Sequence, residues 1–258
     1  VDQIQMLAER YGVDVAMMFH PSPFTAVGHG SLAITEVRVE FRGVAAHASA
    51  WPERGVNALD AVIQTYNGLN ALRQHIKDGA RIHGIITHGG VKPNIVPDYA
   101  AAEFYVRAAD TVYRDELLGK LHRCAEGAAL ATGATLEWKT VSVPYKAMRL
   151  NATLDAAFAR NLERLGWHLD TPRGGSFPFG STDMGDVSQV VPSLHPYVAI
   201  CDEDVVGHSR PFAEASRLHI LFKRSVARDD TTCLSVIESA VMKIRPSAVL
   251  ERGPAPVP

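Results

Sequence analysis

The chain has 258 residues, 47% of them hydrophobic and 21% charged, with a net charge of -2 at pH 7. That length can bury a full core and favours two moderate domains, and the composition excludes wholesale disorder. The scattered basic residues exclude nucleic acid as a partner, and no apolar run reaches the roughly 20 residues that span a bilayer.

In chain order, residues 3–11 carry helical spacing and Gly12 stops them. Residues 13–19 read as a short buried strand, with His20 at its C-terminal end, the edge where open α/β sheets bind ligands. A helix followed by one core strand is an unusual opening for a complete domain, so a segment before Val1 is expected. Residues 34–41 alternate as a strand, residues 55–77 form an amphipathic helix, and residues 81–87 and 99–107 are two further strands. Asp110 caps a helix over 112–132, and 135–141 is a fourth strand. The order βαββαβ predicts a ferredoxin-like sandwich. Beyond Pro144 come a helix over 152–165, a Gly/Pro-rich loop through Gly180, a helical start over 183–190, a strand at 197–201, a loop with His208, and a last helix over 213–242. Alternation of this kind belongs to an α/β layer. The predicted plan is therefore one α/β domain made of residues 1–33 and 143–245, interrupted by the sandwich at 34–142 and followed by a tail at 246–258.

The opening Val1-Asp-Gln-Ile-Gln lacks the basic-then-apolar layout of a signal peptide, so a cytoplasmic location is expected. Cys124, Cys201 and Cys233 are odd in number and far apart, which argues against a disulfide framework and for small buried apolar residues. Histidine is the outlier, at 11 residues, several of them beside Gly or Pro. His20 and His208 are candidate metal ligands, since neutral imidazole suits zinc and both lie at strand ends or loops of one proposed layer. His47 sits in a turn of small residues between a strand and a helix, free to point away from its own subunit.

Five segments, read together, resemble a known family: His20-Pro after its strand; Gly43-Val-Ala-Ala-His47-Ala-Ser with Asn57-Ala; Gly90 through Asn94-Ile-Val-Pro97; Gly180-Ser-Thr-Asp183-Met-Gly; and His208-Ser-Arg-Pro-Phe. They resemble the aminoacylase and carboxypeptidase family of dinuclear metallopeptidases and amidohydrolases. Through Gly180-Ser-Thr-Asp-Met-Gly-Asp-Val-Ser and Val191-Pro-Ser-Leu-His195-Pro-Tyr they look most like its aminobenzoyl-glutamate hydrolase and β-alanyl-lysine dipeptidase branch. The resemblance implies an α/β fold of the zinc-peptidase type carrying an inserted ferredoxin-like dimerisation or lid domain, and a homodimer formed through that lid. It implies two divalent metal ions, zinc or alternatively manganese, sharing an activated water, with His20 a ligand of one and His208 of the other. His47 matches a lid histidine that donates to the developing oxyanion in the partner subunit, and Asn94 a neighbouring lid residue contacting substrate. Arg107 and Lys92 are candidates for a substrate carboxylate, with a solvated strand-end Arg and turn Lys as the competing explanation, and Arg149 lies in the segment where the family holds a carboxylate-binding arginine. Ser181, Thr182 and Asp183 are placed at the pocket, where a helix start offers backbone N–H groups to an anion; simple capping is the competing explanation. The Asp202-Glu203-Asp204 run reads as an exposed loop.

The resemblance also implies a His/Cys-x-His or His-x-Asp motif and a Glu pair that nothing between Val1 and His20 matches. Alone, then, the chain is expected to bind metal weakly and catalyse nothing, because catalytic zinc normally takes three protein ligands. The expected substrate is a small dipeptide or N-acyl amino acid. The rival reading is a non-catalytic dimerisation or ligand-binding remnant of such an enzyme. A ferredoxin-like RNA-binding sandwich fails, for the strands lack an aromatic-rich motif for base stacking.

Overall fold

The computed structural model describes residues 2–170 and 180–217. The described residues fall into two compact units, one of Ser31–Ala147 and one made of those up to Gly30 together with those from Met148 on. The expected joins at 33/34 and 142/143 therefore move to 30/31 and 147/148. The reason is hydrogen bonding: Ile34 and Tyr145 exchange both backbone bonds at 3.0 Å, which ties residues 143–147 to the sandwich.

The inner unit is a four-stranded antiparallel sheet with two helices. Its elements are β3 (Ala33–Arg42), α2 (Ala58–Leu72), β4 (Arg81–His88), β5 (Tyr99–Ala108), α3 (Thr111–Thr132) and β6 (Thr135–Thr140). The strand order β4-β5-β3-β6 is that of the ferredoxin-like sandwich. Period-two burial on β3 sends Val37, Val39 and Phe41 to one face, where α2 contributes Val62 and Leu69 and α3 contributes Leu117 and Leu121. On the other face Glu40 is buried yet paired: Lys139 lies at 2.7 Å, Arg38 at 2.8 Å, and the Tyr99 hydroxyl donates to it at 3.0 Å. These partners hold the Glu40 carboxyl below its ordinary pKa, Lys139 contributing most.

Caps set the helix limits. Asp110 accepts from the Tyr113 N–H at 2.7 Å, as expected. The helix expected over 55–77 is shorter at both ends. Val56 is bridged to Val44, so the helix enters at Asn57, whose side chain accepts from the Leu59 and Asp60 N–H groups, and the last turn tightens at Arg73–His75.

The outer unit holds α1 (Asp2–Tyr11), β1 (Ala16–Met17), β2 (His20–Ser22), α4 (Ala152–Arg164), α5 (Met184–Val187), β7 (Ser193–Leu194) and β8 (Tyr197–Ala199). β1 pairs β7 and β2 pairs β8, both in parallel. α4 buries Leu154, Phe158 and Leu162 at helical spacing against Leu194, Met17 and Phe19. Several expectations change here. The strand read over 13–19 is two short ladders, and His20 opens the second instead of ending the first. The helical start read over 183–190 lasts only through Val187, and the strand over 197–201 ends at Ala199. Residues 210–217 are helical, three positions earlier than expected; the rest of that helix, the tail, Cys233 and most of the Gly/Pro-rich loop lie outside the described residues. Cys124 and Cys201 are half-buried, short of the full burial expected. No helix among the described residues is long and apolar enough to cross a membrane.

Candidate metal and lid sites

The break between β1 and β2 has a local cause. The N–H groups of Ala16, Met18 and His20 donate to the carbonyls of Pro192, Leu194 and Pro196 at 2.9–3.2 Å. Ladder spacing would hand the Met18 carbonyl to the N–H of residue 196, which is proline and has none. The His195 ring takes that place: its Nδ1 lies 2.6 Å from the Met18 carbonyl oxygen. Since a carbonyl only accepts, Nδ1 carries the proton and Nε2 holds a lone pair. His20 is set the same way, with Nδ1 2.7 Å from the Pro21 carbonyl oxygen. Both histidines precede a proline.

The two rings stand edge to face with centroids 5.6 Å apart, and Tyr197 packs at 5.0 Å from His20 and 5.5 Å from His195. His195 is only 4% exposed, and burial holds its pKa below the ordinary imidazole value. The Met18 carbonyl opposes that shift, while the neighbouring His20 reinforces it. Sequence motifs include His195 but give it no role. Its signal, a His-Pro pair repeated at two strand positions, acquires meaning only through the register that sets the positions side by side.

These imidazoles fit a divalent cation in one respect: each has Nδ1–H anchored on a carbonyl, the arrangement that fixes the tautomer of metal-binding histidines. Among the described residues, however, no three His, Cys, Asp or Glu side chains gather into a ligand set. His208 is exposed and holds a left-handed φ of 62°, an uncommon conformation for a residue with a side chain.

Asp183 precedes α5, but its side chain makes no capping bond, which removes the capping explanation for that residue. The Thr182 hydroxyl reaches the Asp183 carboxylate at 3.3 Å and accepts from the Met184 N–H at 3.3 Å; Ser181 is half-buried. Arg149 is exposed, with its backbone N–H on the Ser188 hydroxyl at 2.9 Å. Asp202, Glu203 and Asp204 are exposed, as read from sequence.

In the inner unit, His47 and Asn94 come together from distant positions. His47 is bridged to Ile95, the Ala48 N–H donates to the Asn94 carbonyl at 3.0 Å, and the Val96 N–H donates to the Ala46 carbonyl at 2.9 Å. Both side chains are exposed. Here the histidine has the opposite tautomer: the Ser49 N–H donates to its Nδ1 at 3.4 Å, which leaves Nε2 as the outward donor. Arg107 lies half-buried on β5 beside Tyr105, and Lys92 is exposed in the turn before Asn94.

A βαββαβ sandwich thus lies in sequence between two segments of an α/β unit in which the His20 and His195 rings stand side by side. Residues 29–132 match the family model described as a peptidase dimerisation domain. Over 207 residues it is 41% identical to the Xaa-Arg dipeptidase of Mus musculus, covering 79% of this chain and 47% of that protein. It is 35% identical over 166 residues to one of the component chains of the p-aminobenzoyl-glutamate hydrolase of Escherichia coli, covering 64% of this chain and 34% of that one. Among solved structures, an aminobenzoyl-glutamate utilization protein from Klebsiella pneumoniae shares the fold, with a TM-score of 0.62 at 24% identity over 74% of this chain and 52% of that one. The chain thus spans about half the length of the curated relatives it matches, or less.

Proposed function

We propose that this chain is part of a metal-dependent amidohydrolase that cleaves the amide bond of a dipeptide or N-acyl amino acid, and that it works as a homodimer through residues 31–147. The observation that carries this reading is His20, a half-buried imidazole at the head of β2 whose Nδ1–H is fixed on a carbonyl. In this reading His20 and His208 are ligands of two divalent ions, zinc or manganese. When bound, such ions supply Lewis acidity and a nucleophilic water at neutral pH.

The chain's own residues then have separate tasks. His47 of a second copy donates its Nε2–H to the oxygen on which negative charge develops, and Ser49 keeps the proton on that nitrogen. Asn94, next to His47 on the same bridge, contacts the substrate's carbonyl or carboxylate. Arg107 and Arg149 hold a substrate carboxylate, while Ser181, Thr182 and Asp183 line the pocket. Support for the dimer comes from β4, an edge strand with Ile85 64% exposed and Ile86 45% exposed, an apolar edge of the kind natural sheets cover.

The test is hydrolysis of an Xaa-Arg dipeptide and of p-aminobenzoyl-glutamate by the full-length protein, before and after chelation. Cleavage of either that chelation abolishes and zinc or manganese restores is expected. Absence of bound metal after dialysis, together with no hydrolysis, would leave the ligand-binding remnant.

A further inference from the structure

Two imidazoles stand side by side, His20 at the head of β2 and His195 in the link between β7 and β8, each with its Nδ1 on a backbone carbonyl and its Nε2 uncommitted to that bond. The Met18 carbonyl accounts for the Nδ1 side of His195. It does not account for Nε2, which is buried and has no hydrogen-bond partner among the described residues. A buried acceptor without a partner is rare in folded proteins and calls for a water or an ion. A divalent cation bonds at about 2.0–2.1 Å from an imidazole nitrogen.

We propose that His195 is a nitrogen ligand, through Nε2, of the same divalent cation that His20 holds. The inference rests on the reading of His20 as a metal ligand and adds a second ligand from the link between β7 and β8. Two imidazoles sharing one tetrahedral ion at that bond length bring their ring centres about 5 Å apart; the observed separation is 5.6 Å with the rings nearly perpendicular. The ladder break at Pro196 has a use in this account. It frees the Met18 carbonyl to orient the ligand ring, an arrangement characteristic of metal-bound histidine.

The experiment loads the full-length protein with Co²⁺ and records hyperfine-shifted proton resonances, because an imidazole bound through Nε2 shifts its own Nδ1–H far downfield. Two such exchangeable signals are expected to be assignable by deletion, one vanishing in His20→Ala and the other in His195→Ala. The His195 signal should exchange slowly, being buried against Met18. Where His195→Ala fails to fold, His195→Asn serves, since its amide N–H can still donate to the Met18 carbonyl; loss of the signal at an unchanged melting temperature supports ligation. Co²⁺ affinity should fall at least about tenfold in either single variant. Loss of a signal in the His20 variant but in neither His195 variant overturns the proposal and leaves the His20 reading standing. No shifted signal in the wild-type full-length protein overturns both.

Discussion

Asp155 lies in the first turn of α4, where the helix dipole favours an ionised carboxylate, yet its pKa is raised to about 6. Burial is the cause, opposed in part by the backbone N–H of Gly28, which reaches it from a left-handed turn at φ 72°. Because the folded chain holds this proton more tightly than the unfolded one, with its ordinary value of 3.8, the folded state loses stability as pH rises from about 4 through 6. A difference of about two pKa units corresponds to about 3 kcal/mol at most, and solvent screening of a partly exposed side chain reduces this to about 1 kcal/mol. Asp155→Asn keeps the shape and an acceptor for the Gly28 N–H but cannot ionise. It should stabilise the chain by about 1 kcal/mol at pH 8 and by almost nothing at pH 4. Urea unfolding at the two pH values measures this through the midpoint at constant slope. An equal shift at both pH values, or a loss at pH 8, would refute burial as the dominant force on this carboxyl.

Three further outcomes follow from particular contacts. Asp110→Ala removes the cap on the Tyr113 N–H and should lower stability by about 1 kcal/mol in the same urea assay. Gly43→Ala drives a methyl group into the Val56 carbonyl oxygen, so it should destabilise the inner unit by about 1–3 kcal/mol and loosen the Val44–Val56 bridge before the His47 turn, visible as faster amide exchange of Val44 and Val56. In the full-length enzyme His47→Ala should lower kcat by about 10²–10³ while moving KM far less, as expected of a group that acts on the transition state; equal loss in KM alone would make it a binding residue.

The inner unit is legible in the sequence because its signals are local and agree with one another. Strict alternation marks β3 and β5, and Asp110 announces α3 with a side chain that does cap it, whereas the Asn57 cap of α2 is found only in the structure. The outer unit is less so, because its strands are two and three residues long and depend on partners almost two hundred positions away. Nothing near His20 tells that Pro196 will interrupt its ladder, so the strand reads as continuous from sequence and His20 is set at the wrong end of it. The same nonlocal register hides His195, whose ring replaces a missing N–H that only strand pairing reveals. His47 and Asn94 stand far apart along the chain, and their adjacency arises from the Ala46–Val96 and Ala48–Asn94 hydrogen bonds. Asp183 reads from sequence as either cap or pocket residue, and the backbone geometry at α5 decides against the cap.

The most direct test of a cation at His20 is anomalous diffraction at the zinc edge from crystals grown with zinc. The account predicts a peak about 2.0–2.1 Å from His20 Nε2. Crystals that bind zinc only at other positions, with His20 Nε2 facing protein or water alone, would contradict it.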